Sequence, residues 1–255
     1  MAPGAIDTTD DPTNETFSQH VTSNQIPALF SLHGKTIAIT GGGRGLGLTL
    51  AFAIVEAGGH AALLDLLPSP SEPEYSTLTK LATRSGLTVS YRICDVTSET
   101  DVTAALDEIE AEGEEVGAPL GGMIASAGIQ QRVPALDYSS SDFERILRVN
   151  VVGAFISVKH AARILKEKGR QGSIVLIASM SGQVANRGLT CTAYNSNELL
   201  AVDPSLEETW MRGALLGKLG VPDDFKAPAV FLLADGSGFM TGADLRVDGG
   251  HCASA

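Results

Sequence analysis

The stretch Thr36-Ile37-Ala38-Ile39-Thr40-Gly41-Gly42-Gly43-Arg44-Gly45-Leu46-Gly47 decides the fold. A short run of small and β-branched residues, apolar without alternation, reads as a strand buried on both faces. It passes directly into glycines and then into a helical pattern over residues 45–58. Gly41 permits a sharp turn out of the strand, and Gly45 permits close approach of the backbone to an anion. Gly47 permits the next helix to pack tightly on the sheet with its N-terminal amides aimed at that anion. A plain strand-to-helix turn without a ligand uses the same glycines, so the rest of the chain must decide between the two.

Working outward, residues 61–65, 88–94, 122–125 and 173–178 read as further buried strands, and 98–112, 142–168 and 205–218 as further helices. Strands alternating with helices predict an α/β fold, a doubly wound parallel sheet in a single domain over residues 34–255. Pro68-Ser69-Pro70-Ser71-Glu72-Pro73 reads as a surface insertion after the second strand. Residues 1–33 carry Asp7, Asp10, Asp11 and Glu15 with no Lys or Arg before Lys35, and are expected to form a disordered leader. They lack the basic start and apolar run of a signal peptide and the arginines of a transit peptide.

Composition bounds the partners. With 255 residues, 44% hydrophobic and 19% charged, one core is expected. A formal charge of -12 repels phosphate backbones and anionic lipid, so neither nucleic acid nor a membrane is expected as partner. No run of about 18 apolar residues occurs, and the cytoplasm is the expected location. Cys94, Cys191 and Cys252 lack CxxC spacing and read as reduced thiols, while His20, His33, His60, His160 and His251 are scattered, so no metal site is expected.

Asp65 closes the second strand, 18 residues after Gly47. A carboxylate there can accept hydrogen bonds from the adenosine ribose hydroxyls and repels a 2′-phosphate, which favours NAD. NADP stands as the alternative, because Arg44 in the glycine loop can pair with a 2′-phosphate as well as stack on adenine. Asp65 can also simply cap the turn into Leu66-Leu67-Pro68.

About 150 residues beyond the glycine turn stands Tyr194, in Ala193-Tyr194-Asn195-Ser196-Asn197-Glu198. The pairing resembles the short-chain dehydrogenase/reductase family, whose glycine pattern is TGxxxGxG and whose tyrosine opens a YxxxK motif. The resemblance implies a Rossmann-like NAD(P)-binding domain with cofactor contacts at Gly41, Arg44, Gly45, Leu46, Gly47 and Asp65. It adds Asp95 and Val96 after the third strand and Ser126, Ala127 and Gly128 after the fourth. Ser126 stands where the family usually has Asn, and Gly128 serves equally as a simple turn. Asn150, Ser179 and Tyr194 match the family's catalytic Asn, carbonyl-binding Ser and proton-transferring Tyr, with Ser181 as the competitor of Ser179, since either hydroxyl could simply cap the turn. Gln130 and Gln183 face the substrate pocket by the same resemblance, or are surface polar residues. The implied reaction is hydride transfer between a small secondary alcohol, such as a polyol or sugar, and its ketone, in a homo-oligomer.

The family's motif departs from this sequence at one place. Glu198 occupies the position of the motif lysine, and only 61 residues follow Tyr194. The Tyr-Lys helix, the sixth strand and its loop, some 30 to 40 residues by ordinary element lengths, have no counterpart. The sequence resumes in register through Gly220-Val221-Pro222-Asp223-Asp224-Phe225, a helix to Ala234, and 241–249 as the final strand. The expectation is a domain truncated internally near 197/198, without one interior strand, its crossover helix and the helix that builds a subunit interface in relatives. Turnover is then impaired. Two other readings stand beside the oxidoreductase: a noncatalytic dinucleotide-binding protein, and a nonfolding product of a mis-spliced gene.

Overall fold

The computed structural model describes residues 25–131, 133–182, 211 and 213–253. Its strands are β1 (Thr36–Thr40), β2 (His60–Asp65), β3 (Val89–Ile93), β4 (Leu120–Ala125) and β5 (Ser173–Leu176). They form one parallel sheet in the order β3-β2-β1-β4-β5, so the chain winds outward twice from β1. The helices are α1 (Gly45–Glu56), α2 (Glu74–Arg84), α3 (Glu99–Glu115), α4 (Ser140–Leu147), α5 (Ala154–Glu167) and α6 (Lys226–Leu233).

Strand residues point alternately to the two faces, and both faces are covered. On one, Ile37, Ile39 and Leu63 pack with Leu50 and Ile54 of α1, Leu78 of α2 and Leu233 of α6. On the other, Ala38, Leu64 and Met123 pack with Leu106 and Ile109 of α3 and Ile156 and Ile164 of α5. This is the doubly wound arrangement expected from the nearly continuous apolar runs, although the edge strand β3, expected to be buried, is half-buried and ends on exposed Ile93. Ser98 and Ser139 start α3 and α4 by accepting from the amides of Asp101 and Asp142.

The structure departs from the expected elements in several places. Helix α2 follows the Pro-rich segment directly, anchored by Leu78 and Ala82 four residues apart; its short period was hidden behind the prolines. The single helix expected over 142–168 is α4 and α5 joined by a π-helical turn, Arg148–Gly153. The folded part also begins before residue 34. Leu32 is fully buried and donates its amide to Ala57 at 2.9 Å, and Phe30 lies against Phe231 at 6.0 Å between ring centroids.

No strand forms over 241–249 among the described residues. Leu245 is exposed there, and the Gly249 carbonyl instead accepts from Leu216 at 3.0 Å. Of the helix expected at 205–218, residues 211 and 213 are helical, 214–218 form a turn and bend, and the rest lies outside the described residues. The junction at 197/198 lies outside them too. Among the described residues, no helix is long and apolar enough to cross a membrane.

One buried charge holds the entry to β4. Glu110 is 5% exposed, accepts from the Leu120 amide at 3.0 Å, and pairs with Arg170, just ahead of β5. Replacing Glu110 by Ala leaves the Leu120 amide without its acceptor and Arg170 with Glu114 at 3.5 Å, and is expected to lower unfolding free energy by about 1–3 kcal/mol in a urea titration. An unchanged midpoint would remove this role.

Candidate functional site

In a sheet of this order the chain departs in opposite directions from β1 and β4, and the ends of these strands open a crevice. The loops that follow them meet there. Gly41 sits at φ 68°, and a Cβ on it would lie 2.8 Å from the Cα of Ala127. Gly47, in the first turn of α1, is the tightest of the loop's glycines: a Cβ there would stand 2.2 Å from the Gly41 carbonyl oxygen. Only hydrogen fits at either place, which brings strand, turn and helix into direct backbone contact.

Gly45 differs. It has φ 55° and open space where a Cβ would project. Arg44 occupies the N-cap of α1, and its side chain makes no capping bond to the first-turn amides. An arginine has no acceptor to offer, so the N-cap side chain does not satisfy these amides. The glycine loop therefore fits a pyrophosphate by its open face and by the donors it presents.

Asp65, at the end of β2, is turned into this loop. Its Oδ2 accepts from the Gly43 amide at 2.9 Å and its Oδ1 from the Leu67 amide at 3.1 Å. The capping role and the ribose role are thus compatible, since a carboxylate has about four acceptor positions and two are used. Asp95 accepts from the amide and hydroxyl of Thr97, both at 2.8 Å, shaping the loop after β3, and Val96 is buried beside Gly153. Arg44 is exposed and Leu46 half-buried at the mouth of the loop.

Ser126 is turned in toward the end of β1. It is 7% exposed and donates to the Thr40 carbonyl at 2.6 Å, while the Thr40 hydroxyl accepts from the Ala127 amide at 3.3 Å. The pair ties the ends of β1 and β4 together. Thr40 was not singled out in the sequence, where it reads only as the last residue of a strand.

Asn150 lies in the π turn. Its Oδ1 accepts from the Ile129 amide and its Nδ2 donates to the Ile129 carbonyl, each at 2.9 Å. The carboxamide thus takes the place of a neighbouring strand for the segment leaving β4, beside Gly128. Satisfying it in this way accompanies the widened helical turn.

Ser179 follows β5 and is half-buried, and its hydroxyl accepts from the Ser181 amide at 3.2 Å. Either hydroxyl could cap this turn, and it is Ser179 that does so, while Ser181 is the more buried of the two. Tyr194, Glu198, Gln183 and Cys191 lie outside the described residues. Gln130 is half-buried just beyond Ile129. Cys94, which precedes Asp95, is buried, and burial with the charges of Asp101 and Asp95 pushes its thiol up to about 11. Native protein at pH 7.5 is accordingly expected to leave Cys94 unalkylated by iodoacetamide, with reaction only on unfolding; rapid native labelling would contradict the burial.

Residues 35–196 match the short chain dehydrogenase family, and residues 187–251 match a second pattern described as enoyl-(acyl carrier protein) reductase. The short chain dehydrogenases/reductase notP' of Aspergillus versicolor is 34% identical over 274 aligned residues, covering 92% of this chain and 93% of the relative. Galactitol 2-dehydrogenase (L-tagatose-forming) of Cereibacter sphaeroides is 30% identical over 259, covering 88% and 97%. Among solved structures, a gluconate 5-dehydrogenase from Burkholderia cenocepacia in complex with NADP and tartrate superposes with a TM-score of 0.77 at 26% identity, covering 90% of this chain and 99% of that one. With its glycine turn, its parallel sheet and these relatives, the chain belongs to the short-chain dehydrogenase/reductase family.

Proposed function

We propose that this protein binds a nicotinamide dinucleotide, NAD in preference to NADP, on a scaffold whose lineage interconverts a polyol, sugar or similar secondary alcohol with its ketone. The observation that carries the reading is the open glycine loop at Gly45, with uncapped amides of α1 on one side and the Asp65 carboxylate on the other. The bound dinucleotide would supply the hydride acceptor or donor. The α1 amides would hold its pyrophosphate, Asp65 its adenosine ribose, and Val96 and Ala127 the walls of its cleft.

The preference for NAD rests on charge. Residues 66–73 contain no Lys or Arg and do contain Glu72, so a 2′-phosphate beside Asp65 meets like charge, with Arg44 as the one basic residue of the glycine loop. Two unit charges about 5 Å apart repel by roughly 3 kcal/mol at an effective dielectric near 20. The gluconate 5-dehydrogenase neighbour carries NADP, so the discrimination is a property of these residues and not of the fold. A fluorescence titration is expected to give a Kd for NADPH at least about tenfold above that for NADH. Equal or tighter NADPH binding would overturn the preference; no binding of either would overturn the site.

In the chemistry of this reading, Ser179 holds the substrate oxygen and Tyr194 exchanges its proton, while Asn150 fixes the segment at Ile129. Two features favour a chain impaired in that step. Glu198 stands where a cation would lower the tyrosine pKa. Also, an alignment of 274 positions that takes in 92% of 255 residues leaves roughly 40 positions of the A. versicolor relative without a counterpart here. That length supports the excision of one helix and one strand, the segment that would have joined Asn197 to its lysine.

A further inference from the structure

Tyr91, in β3, lies outside the glycine loop, yet a chain of hydrogen bonds connects them. Its hydroxyl donates to the Leu67 carbonyl at 2.7 Å. The Leu67 amide donates to Asp65 Oδ1 at 3.1 Å, and Asp65 Oδ2 accepts from the Gly43 amide at 2.9 Å. The Gly43 carbonyl accepts from the Ser71 amide at 2.8 Å, which returns the chain to the Pro-rich segment. Leu67 is therefore gripped at both polar backbone atoms, and so is Gly43. The Tyr91 ring stands edge-on to Tyr75 of α2 at 6.1 Å between centroids, which fixes where its hydroxyl can reach. Burial, then the charges of Asp65 and Tyr75, push its phenol up to about 12, so it remains a hydrogen-bond donor throughout the physiological range.

We propose that Tyr91 is a positioning residue for the adenosine end of the dinucleotide: through Leu67 it holds the Asp65 carboxylate and the strap 66–73 against the glycine loop before any ligand arrives. The inference rests on the dinucleotide reading above. The physical reason is preorganisation. A carboxylate already oriented by two backbone amides loses less freedom on meeting a ribose diol than one on a loose loop. Removing the hydroxyl frees the Leu67 carbonyl, and with it the amide that orients Asp65 Oδ1.

The test is NADH binding, followed by fluorescence, to the wild type, Tyr91→Phe, Asp65→Ala and the double variant, with reduced nicotinamide mononucleotide as a probe that lacks the adenosine half. Phe keeps the ring and its contact with Tyr75. Tyr91→Phe is expected to weaken NADH about two- to tenfold, the range for one hydrogen bond, and to leave the mononucleotide unchanged. On the Asp65→Ala background the same change should have no further effect, because the two residues act in series. Unchanged NADH affinity in Tyr91→Phe, equal losses for both probes, or a full additional loss on the Asp65→Ala background would each overturn the inference. A wild type that fails to bind NADH would overturn the dinucleotide reading itself and this inference with it, a different result from wild-type binding that Tyr91→Phe retains.

Discussion

Purified as this 255-residue chain, the protein is expected to oxidise a polyol with NAD at least about a thousandfold more slowly than galactitol 2-dehydrogenase assayed beside it. An unperturbed tyrosine titrates near 10, so at pH 7 only about one phenol in a thousand is ionised. A neighbouring cation lowers that value by roughly one to three units, whereas a carboxylate raises it. On any helix shared by Tyr194 and Glu198 the two stand one turn apart, so the charge there has the wrong sign. Glu198→Lys is expected to recover less than about tenfold of the loss, because on the excision reading proposed above the helix that would position the lysine is lost with it. Rates comparable to the relative's in the unaltered chain would sink this account. The transcript across the codons for Asn197 and Glu198 decides its origin: an in-frame segment encoding the lysine restores the enzyme, and an uninterrupted message leaves a binding protein.

Gly47→Ala is expected to carry the second large effect. A methyl group 2.2 Å from the Gly41 carbonyl oxygen and 3.0 Å from the Ser126 hydroxyl cannot be accommodated by a side-chain rotation. The neighbours that must move are the turn itself and the bond from Ser126 to Thr40. Overpacking against backbone costs about 3 kcal/mol, and displacing α1 also withdraws the amides that would face the pyrophosphate. Thermal melting should fall by several degrees, and NADH affinity by more than tenfold. Gly45→Ala separates the two effects: it meets no neighbour, and its cost is the left-handed backbone at φ 55°, about 1 kcal/mol. If Gly47→Ala melted and bound NADH as the wild type does, close packing of helix on strand would not be what that glycine supplies.

Much of the site was legible because its parts are local. The positions of β1 to β5 followed from nearly continuous apolar runs ended by turn residues, within two residues at either end, and the glycine turn and Asp65 followed from their place after two of those strands. What escaped notice depends on pairs remote in the chain. Ser126 and Thr40 are 86 residues apart, Asn150 and Ile129 21, Tyr91 and Leu67 24, and in each pair one partner is a backbone atom that every residue type possesses. No residue pattern marks such a bond. The expected strand at 241–249 shows the converse failure: the run Leu245-Arg246-Val247 is strand-like by composition, yet no described strand lies beside it to receive its ladder.

By itself the sequence determined that this chain is a parallel, doubly wound α/β protein with a dinucleotide-type glycine turn, because periodicity and glycine placement act over a few residues and are written in order. It also determined that the motif lysine is absent, a fact of identity that no fold can alter. Only the tertiary structure decided that Ser126 faces Thr40, that Asn150 holds Ile129 across a π turn, and that Tyr91 grips the strap over Asp65. Those bonds exist because packing two faces of one sheet brings strand ends together, and proximity of that kind arises only when the whole chain has closed on its core.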